Sequence, residues 1–371
     1  MKPISAGTRI PKSMIQRLIS IFLTVLLCSS VALAQRDRVE RVGGDRFETE
    51  LTTLKFSGGR YTNLSFTGSS YIIGKLSIVS SDKPITTVTC RKTLKADSPE
   101  QAEKFAGYIE VSGEELENEL SISAETKSVP PWSGTEWSGG VNIEIEVPRN
   151  DNLKIDVRTT VFTIDITGPF ATVDITSSLG DVSIEKITNK IRVSLENGGV
   201  SVRDCTGPVT VSTALRPITL THVDGKLGSI KLGNTNAKIV LESVRGEIDA
   251  RCDNAMISGN NVSFEAGHSQ LVSENSNIEI DADAVNGDLT IRGANGKINL
   301  SLPANTSASY LLQVEEAGRI YTRELPMAVT VASRTRVIGT SGNRRNKIEV
   351  DMSGVGTVTL EGKPANRMSI R

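Results

Sequence analysis

From Leu153 to Leu302 the apolar side chains come in pairs split by one polar residue, the two-residue period of a strand with one buried face. The pairs themselves recur. Ile155/Val157, Val173/Ile175, Ile191/Val193 and Val209/Val211 advance by 18 residues at each step. A second series, Ile164/Ile166, Val182/Ile184, Val200/Val202 and Ile218/Leu220, also advances by 18, half a period out of phase. Each repeat thus holds two short strands, with too few residues to enclose their apolar faces alone. Such units bury those faces by stacking edge to edge. The pattern predicts an all-β fold, a β-solenoid over 151–302 of about eight coils of ~18–21 residues, two short strands per coil. Asn189, Gly207 and Gly225 on one side, and Gly180 and Gly198 on the other, mark the corners. Beyond Gly225 the spacing loosens to 18 to 21 residues, through Ile239/Leu241, Ile257, Ile278/Ile280 and Ile298/Leu300.

The flanks lack this metre. Residues 51–150 read as a β-rich N-terminal module continuous with the first coil and capping it, because an open end would expose apolar core and unpaired strand edges. One short helix is expected there, in DSPEQAEKFAG. Ser98 is the N-cap, Pro99 the first helical residue, Gln101 the capping-box partner and Gly107 the stop. Residues 35–50 read as a flexible N-terminus of the mature chain. Residues 303–371 read as an irregular segment followed by closing strands, with KIEVDMSGVGTVTLEGK adding a last coil. Arg334, Arg336, Arg344, Arg345 and Lys347 cluster there, as an edge guarded against pairing or as a contact for a receptor or polyanion.

The N-terminus carries the marks of export. Lys2, Arg9, Lys12 and Arg17 precede the apolar LISIFLTVLLCSSVALA, and Ala32-Leu33-Ala34 forms a cleavage signal, so residues 1–34 read as a signal peptide. The expected compartment is periplasmic, cell-surface-associated or extracellular. No later segment is apolar enough to span a bilayer as a helix. Without the leader, 38 basic residues remain against 43 acidic ones, a formal charge of −5 that argues against nucleic acid as a partner. Only 4% of the residues are aromatic, so the core must be built from aliphatic side chains.

Candidate chemistry is thin. Cys205 lies 18 residues after Ile187 and 18 before Val223, in an apolar column, and reads as core filler. Cys252 follows Ile248 and Ala250 on the inward alternation. With Cys90 these make an odd number of mature cysteines, and their spacing names no disulfide pair. His222 and His268 have no metal-type or triad context, and Asp156, Asp165 and Asp174 fall on the outward alternation. No catalytic residue, metal site or cofactor is expected. A carbohydrate-active β-helix enzyme would need clustered carboxylates or basic residues projecting from adjacent coils. The binding candidates are Trp132 and Trp137, the only tryptophans, in PPWSGTEWSGG just before the repeats. Exposed, they would stack on a sugar or enter a partner; folded back, they would plug the first coil.

The order of signal peptide, strand-rich leader, VNIEIEVPRNDNLKIDVRTT, repeated strand, Gly turn, strand units and a closing GVGTVTLEG resembles a family of exported bacterial proteins of unknown function. Its members are described as candidate adhesins with β-strand repeats. The resemblance spans roughly Phe56 to Gly362 and implies a non-enzymatic surface or periplasmic role, with no catalytic residues to carry over. The leading expectation is an adhesin-like interaction scaffold whose partner is an envelope or extracellular protein or a glycan. The alternative is a periplasmic accessory or envelope-stress component that binds a partner protein.

Overall fold

A computed structural model describes residues 37–58 and 61–363. The leader at 1–34 lies outside them, and from Arg38 onward the chain forms one compact unit. The first part comprises β1 (Val39–Gly43), β2 (Arg46–Thr49), β3 (Thr52–Phe56), β4 (Asn63–Gly68), β5 (Ile72–Ser81) and β6 (Thr86–Lys95). After helix α1 (Pro99–Ala106) come β7 (Ile109–Leu116), β8 (Glu119–Thr126) and β9 (Ser138–Pro148). The middle comprises β10 (Lys154–Arg158), β11 (Val161–Leu179), β12 (Val182–Asn197), β13 (Val200–Thr206), β14 (Val209–Thr213) and β15 (Ile218–Asn234). It continues with β16 (Ile239–Cys252), β17 (Ile257–Phe264), β18 (His268–Glu274), β19 (Ile278–Val285), β20 (Asp288–Ala294) and β21 (Lys297–Pro303). The last part comprises β22 (Ala308–Val314), β23 (Arg319–Arg323), β24 (Ala328–Ala332), β25 (Arg336–Thr340), β26 (Asn346–Ser353) and β27 (Thr357–Lys363).

The protein is all-β, and its parallel strands fall into two ladders. The first runs β8, β4, β10, the second halves of β11 and β12, then β14, the second halves of β15 and β16, then β18, β20, β26 and β22. The second runs β9, β5, the first halves of β11 and β12, then β13, the first halves of β15 and β16, then β17, β19, β21, β27 and β23. Register follows the sequence metre. Val157 pairs with Ile175, Ile175 with Val193, Val193 with Val211, Val211 with Leu232 and Leu232 with Ala250. All six are buried, while their outward neighbours Asp156, Asp174 and Arg192 remain partly exposed. In-register burial of like aliphatic side chains is what holds the stack together, since no rung has a core of its own.

Two expectations need correction, and one gains detail. The segment 35–50, expected to be flexible, contains β1 and β2, and β2 pairs with β6. Residues 51–150, expected to continue and cap the first coil, contribute rungs as well as the closing strands. β4 and β5 belong to the ladders themselves, lying between β8/β9 on one side and β10/β11 on the other. At the far end β26 and β27 insert between β20/β21 and β22/β23, so KIEVDMSGVGTVTLEGK is an inner rung and not the last. Chain order and stacking order part at both ends because every rung offers a neighbour the same apolar face and the same hydrogen-bonding edge.

The outer rungs are closed by antiparallel strands. β7 pairs with β8 and β6 with β9 at one end; β25 pairs with β22, and β24 with β25, at the other. Helix α1 forms as the sequence predicts, with the Ser98 side chain accepting the Gln101 N–H at 3.3 Å. The Gln101 amide oxygen reaches back to the Asp97 N–H and not to that of Ser98.

The corner from the second ladder to the first is made by residues in the left-handed region. Lys186, Asp204, His222, Ser243 and Asn261 have φ between 52° and 62°, and each precedes a buried apolar residue or cysteine: Ile187, Cys205, Val223, Val244 and Val262. Nearby, Gly207 has φ +102°, and a Cβ there would lie 1.8 Å from the Asn189 carbonyl oxygen. Only glycine fits that close approach.

Candidate functional site

The two tryptophans take different positions. Trp132 is 5% exposed. Its ring meets Phe105 and Tyr108 edge to face, with centroids at 5.3 and 6.3 Å, and lies against Gly139 of β9, where any Cβ would come within 2.5 Å of it. The indole N–H donates to the Tyr71 carbonyl at 3.0 Å. The ring is buried and its polar edge occupied, so Trp132 ties α1 to β9 instead of presenting a surface for a ligand. Trp137 is half-buried, with the Lys95 ammonium 5.5 Å from its ring centroid. Of the two binding candidates, only Trp137 keeps access to solvent.

The other polar residues singled out from the sequence do not converge. Cys205 is buried beside Val223; its Sγ accepts the Ile187 N–H at 3.3 Å, and burial pushes the thiol up to about 11. Cys252 is buried too, with its Sγ 3.2 Å from the Ala237 carbonyl and its pKa raised by burial. Cys90, Cys205 and Cys252 are all buried. His222 is exposed at the corner, with Nδ1 3.1 Å from Asp204 Oδ1. Asp165 and Asp174 face outward to Lys75 and Arg192 at 3.1 and 3.7 Å.

The surface does bring polar groups together elsewhere. A depression of about 340 Å³ opens on the outward face of β16, β17, β19 and β21. Two outward rows line it: Val240, Ser258, Glu279 and Asn299 in one, Glu242, Asn260, Asp281 and Ser301 in the other. Gly259 explains the hollow. It occupies the inward register position between Leu241 and Ile280, and a Cβ there would meet Val262 and Ile280 at 2.8 and 2.9 Å. With no side chain at Gly259, β17 leaves room there that any larger residue would fill. Asn261, with φ 57°, and the irregular register from Asn260 to Ser263 complete the dent.

The lining is suited to hydrogen bonding. Glu242 and Glu279 offer acceptors, Asn260 and Asn299 offer both donors and acceptors, and Ser258 and Ser301 offer hydroxyls. Lys363 holds the Asp281 carboxylate from the rim. The volume falls at the lower end of the range for small-molecule sites. The sequence signal for this site was Gly259, the glycine in an otherwise regular strand pair, ISGNN.

A family model described as Toastrack DUF4097 matches residues 75–361. Among solved structures, a candidate cell adhesion protein from Clostridium sporogenes is 11% identical, with 85% of this chain and 99% of that chain covered and a TM-score of 0.20. A candidate adhesin from Bacteroides fragilis is 12% identical, with 84% and 97% covered and a TM-score of 0.30. A candidate lipid-binding protein from Parabacteroides distasonis is 13% identical, with 84% and 96% covered and a TM-score of 0.30. No curated protein matches the chain significantly.

Proposed function

The chain belongs to the Toastrack DUF4097 family, whose model covers residues 75–361, and from that premise we propose that it is an exported, non-enzymatic binding scaffold. In this reading the two ladders are the sides of a β-solenoid, each coil supplying one strand to each. The apolar faces are spent on stacking, and function is left to the outward faces. The observation that carries the proposal is the depression over β16, β17, β19 and β21, a polar hollow in a surface otherwise set by strand alternation. Its amides, hydroxyls and carboxylates recognise a hydroxyl-rich or amide-rich ligand, a glycan or an extended peptide of the envelope or its surroundings. The basic and apolar pattern of residues 1–34 supports an encounter outside the cytoplasm.

A glycan array and a pull-down from the cell envelope, run with the protein and with Glu242→Gln/Asn260→Ala, test this. Captured ligand that is lost in the double variant at unchanged melting temperature supports it. Equal capture by both forms removes the depression from the proposal.

A further inference from the structure

The first ladder ends in a hairpin on both sides, and the two hairpins carry opposite charge. At one end β7 and β8 span residues 109–126, which contain Glu110, Glu114, Glu115, Glu117, Glu119 and Glu125 and no Lys or Arg. At the other, the β24–β25 hairpin carries Arg334 and Arg336 and no acidic residue, while Arg319 and Arg323 lie on β23 of the second ladder and Arg344 and Arg345 follow β25. Among the described residues, none of these six glutamates or six arginines forms an ion pair.

Among the described residues neither terminal strand has a second strand partner, and on β7 the Glu115 carboxylate is held by Ser57 and Tyr61. β7 pairs with β8 alone and β24 with β25 alone. β24 reads AVTVA and is exposed along its whole length, with Val329 at 48% and Val331 at 40%. A bare apolar edge strand is a template for a further strand. Like charges oppose the pairing of β24 with a second β24, because each brings its own arginines. The β7 edge of another copy brings glutamates.

Strand direction agrees. The first ladder runs parallel from β8 through β22; β7 is reversed against β8, and β24, reversed twice through β25, regains the common direction. When one copy is set behind another in the same orientation, β24 meets the next β7 antiparallel, the more stable form of pairing. We propose that copies of this protein associate head to tail, the basic β24 edge of one adding to the acidic β7 edge of the next. Such a contact is heterologous, so it extends to chains unless rotation closes a ring. The proposal is independent of what the outward depression binds.

Sedimentation velocity of the purified protein tests it. In about 0.02 M salt the mass should grow with protein concentration, and in about 1 M salt, where the screening length falls to ~3 Å, it should return to the monomer. Arg323→Glu/Arg334→Glu/Arg336→Glu and Glu110→Lys/Glu114→Lys/Glu117→Lys should each be monomeric at low salt with unchanged melting. Mixed in equal amounts they should associate, since the first keeps an intact acidic edge and the second an intact basic one. A wild-type protein that stays monomeric at low salt, a dimer that grows no further, or variants that fail to complement would each overturn the proposal. So would a monomer that uses the same arginines to bind vesicles of anionic lipid.

Discussion

The Sγ of Cys205 accepts the backbone N–H of Ile187, 18 residues earlier and one rung away, at 3.3 Å. The cysteine therefore fills an apolar column and also accepts a backbone donor from the neighbouring rung. Cys205→Val, close in volume, would be nearly neutral on packing alone. Stranding the Ile187 N–H raises the expected loss to about 1–3 kcal/mol. Urea titration measures it. With the thiol raised to about 11 by burial, native protein should resist iodoacetamide at neutral pH and react only on unfolding.

Trp132 and Trp137 should separate in fluorescence. Trp132, buried between Phe105, Tyr108 and Gly139, should emit in the blue and escape acrylamide, whereas half-buried Trp137 should be quenched. Trp132→Ala should cost about 3–5 kcal/mol in stability, as for a large aromatic removed from a core. Trp137→Ala should cost much less, because its ring keeps solvent on one side and its Lys95 contact is a surface one.

The contrast between these tryptophans marks how far the sequence could be read. Alternation in Ile155/Val157 and its successors names which residues face inward, and the 18-residue step names which stack, because burial and register are local consequences of a two-residue period. Rung order at the ends is different. Leu64/Phe66 and Ile348/Val350 carry the same alternation as any inner rung, and nothing in that pattern says that β4 lies between β8 and β10 or that β26 lies between β20 and β22. The fate of Trp132 was hidden for a related reason. Its partners Phe105 and Tyr71 lie 27 and 61 residues away and meet it only once that interleaved order is set. Likewise the depression depends on one absent side chain, Gly259, whose meaning appears only beside Val262 and Ile280.

Tyr61 should give the protein an alkaline limit. Its hydroxyl donates to the Glu115 carboxylate, which also takes the Ser57 N–H. Burial first, and then the hydrogen bond to Glu115, push the Tyr61 phenol up to about 12. A folded pKa above the unfolded value means that the stabilisation is complete below about pH 10 and is lost as pH rises toward 12. Glu115 behaves in the opposite sense. The Tyr61 hydrogen bond lowers its pKa, so its contribution is present above the ordinary carboxylate range and fades as pH falls through the depressed value. Melting temperature followed from pH 3 to 12 should therefore sag at both extremes. Tyr61→Phe should flatten the alkaline arm and move the Glu115 titration back toward its usual range.

Asn275 combines two roles that substitution can part. Its side-chain amide donates to Asn254 Oδ1 at 3.3 Å and its oxygen accepts from Asn295 at 3.2 Å, while Asn254 donates in turn to Asn236 at 2.9 Å. This ladder of exposed amides runs across successive rungs at one edge of the stack. Asn275 also holds φ at 60°, as Asn295 does at 57°, in the left-handed region that asparagine tolerates and alanine does not. Asn275→Gly removes the amide and keeps the backbone at ease, so it should cost only the net worth of exposed hydrogen bonds, about 0.5–1.5 kcal/mol. Asn275→Ala removes the amide and strains the turn, adding a further ~1–2 kcal/mol. Thermal melts of the two variants give the difference directly. Equal losses for Gly and Ala would mean that the amide ladder, and not the left-handed turn, is why asparagine stands there.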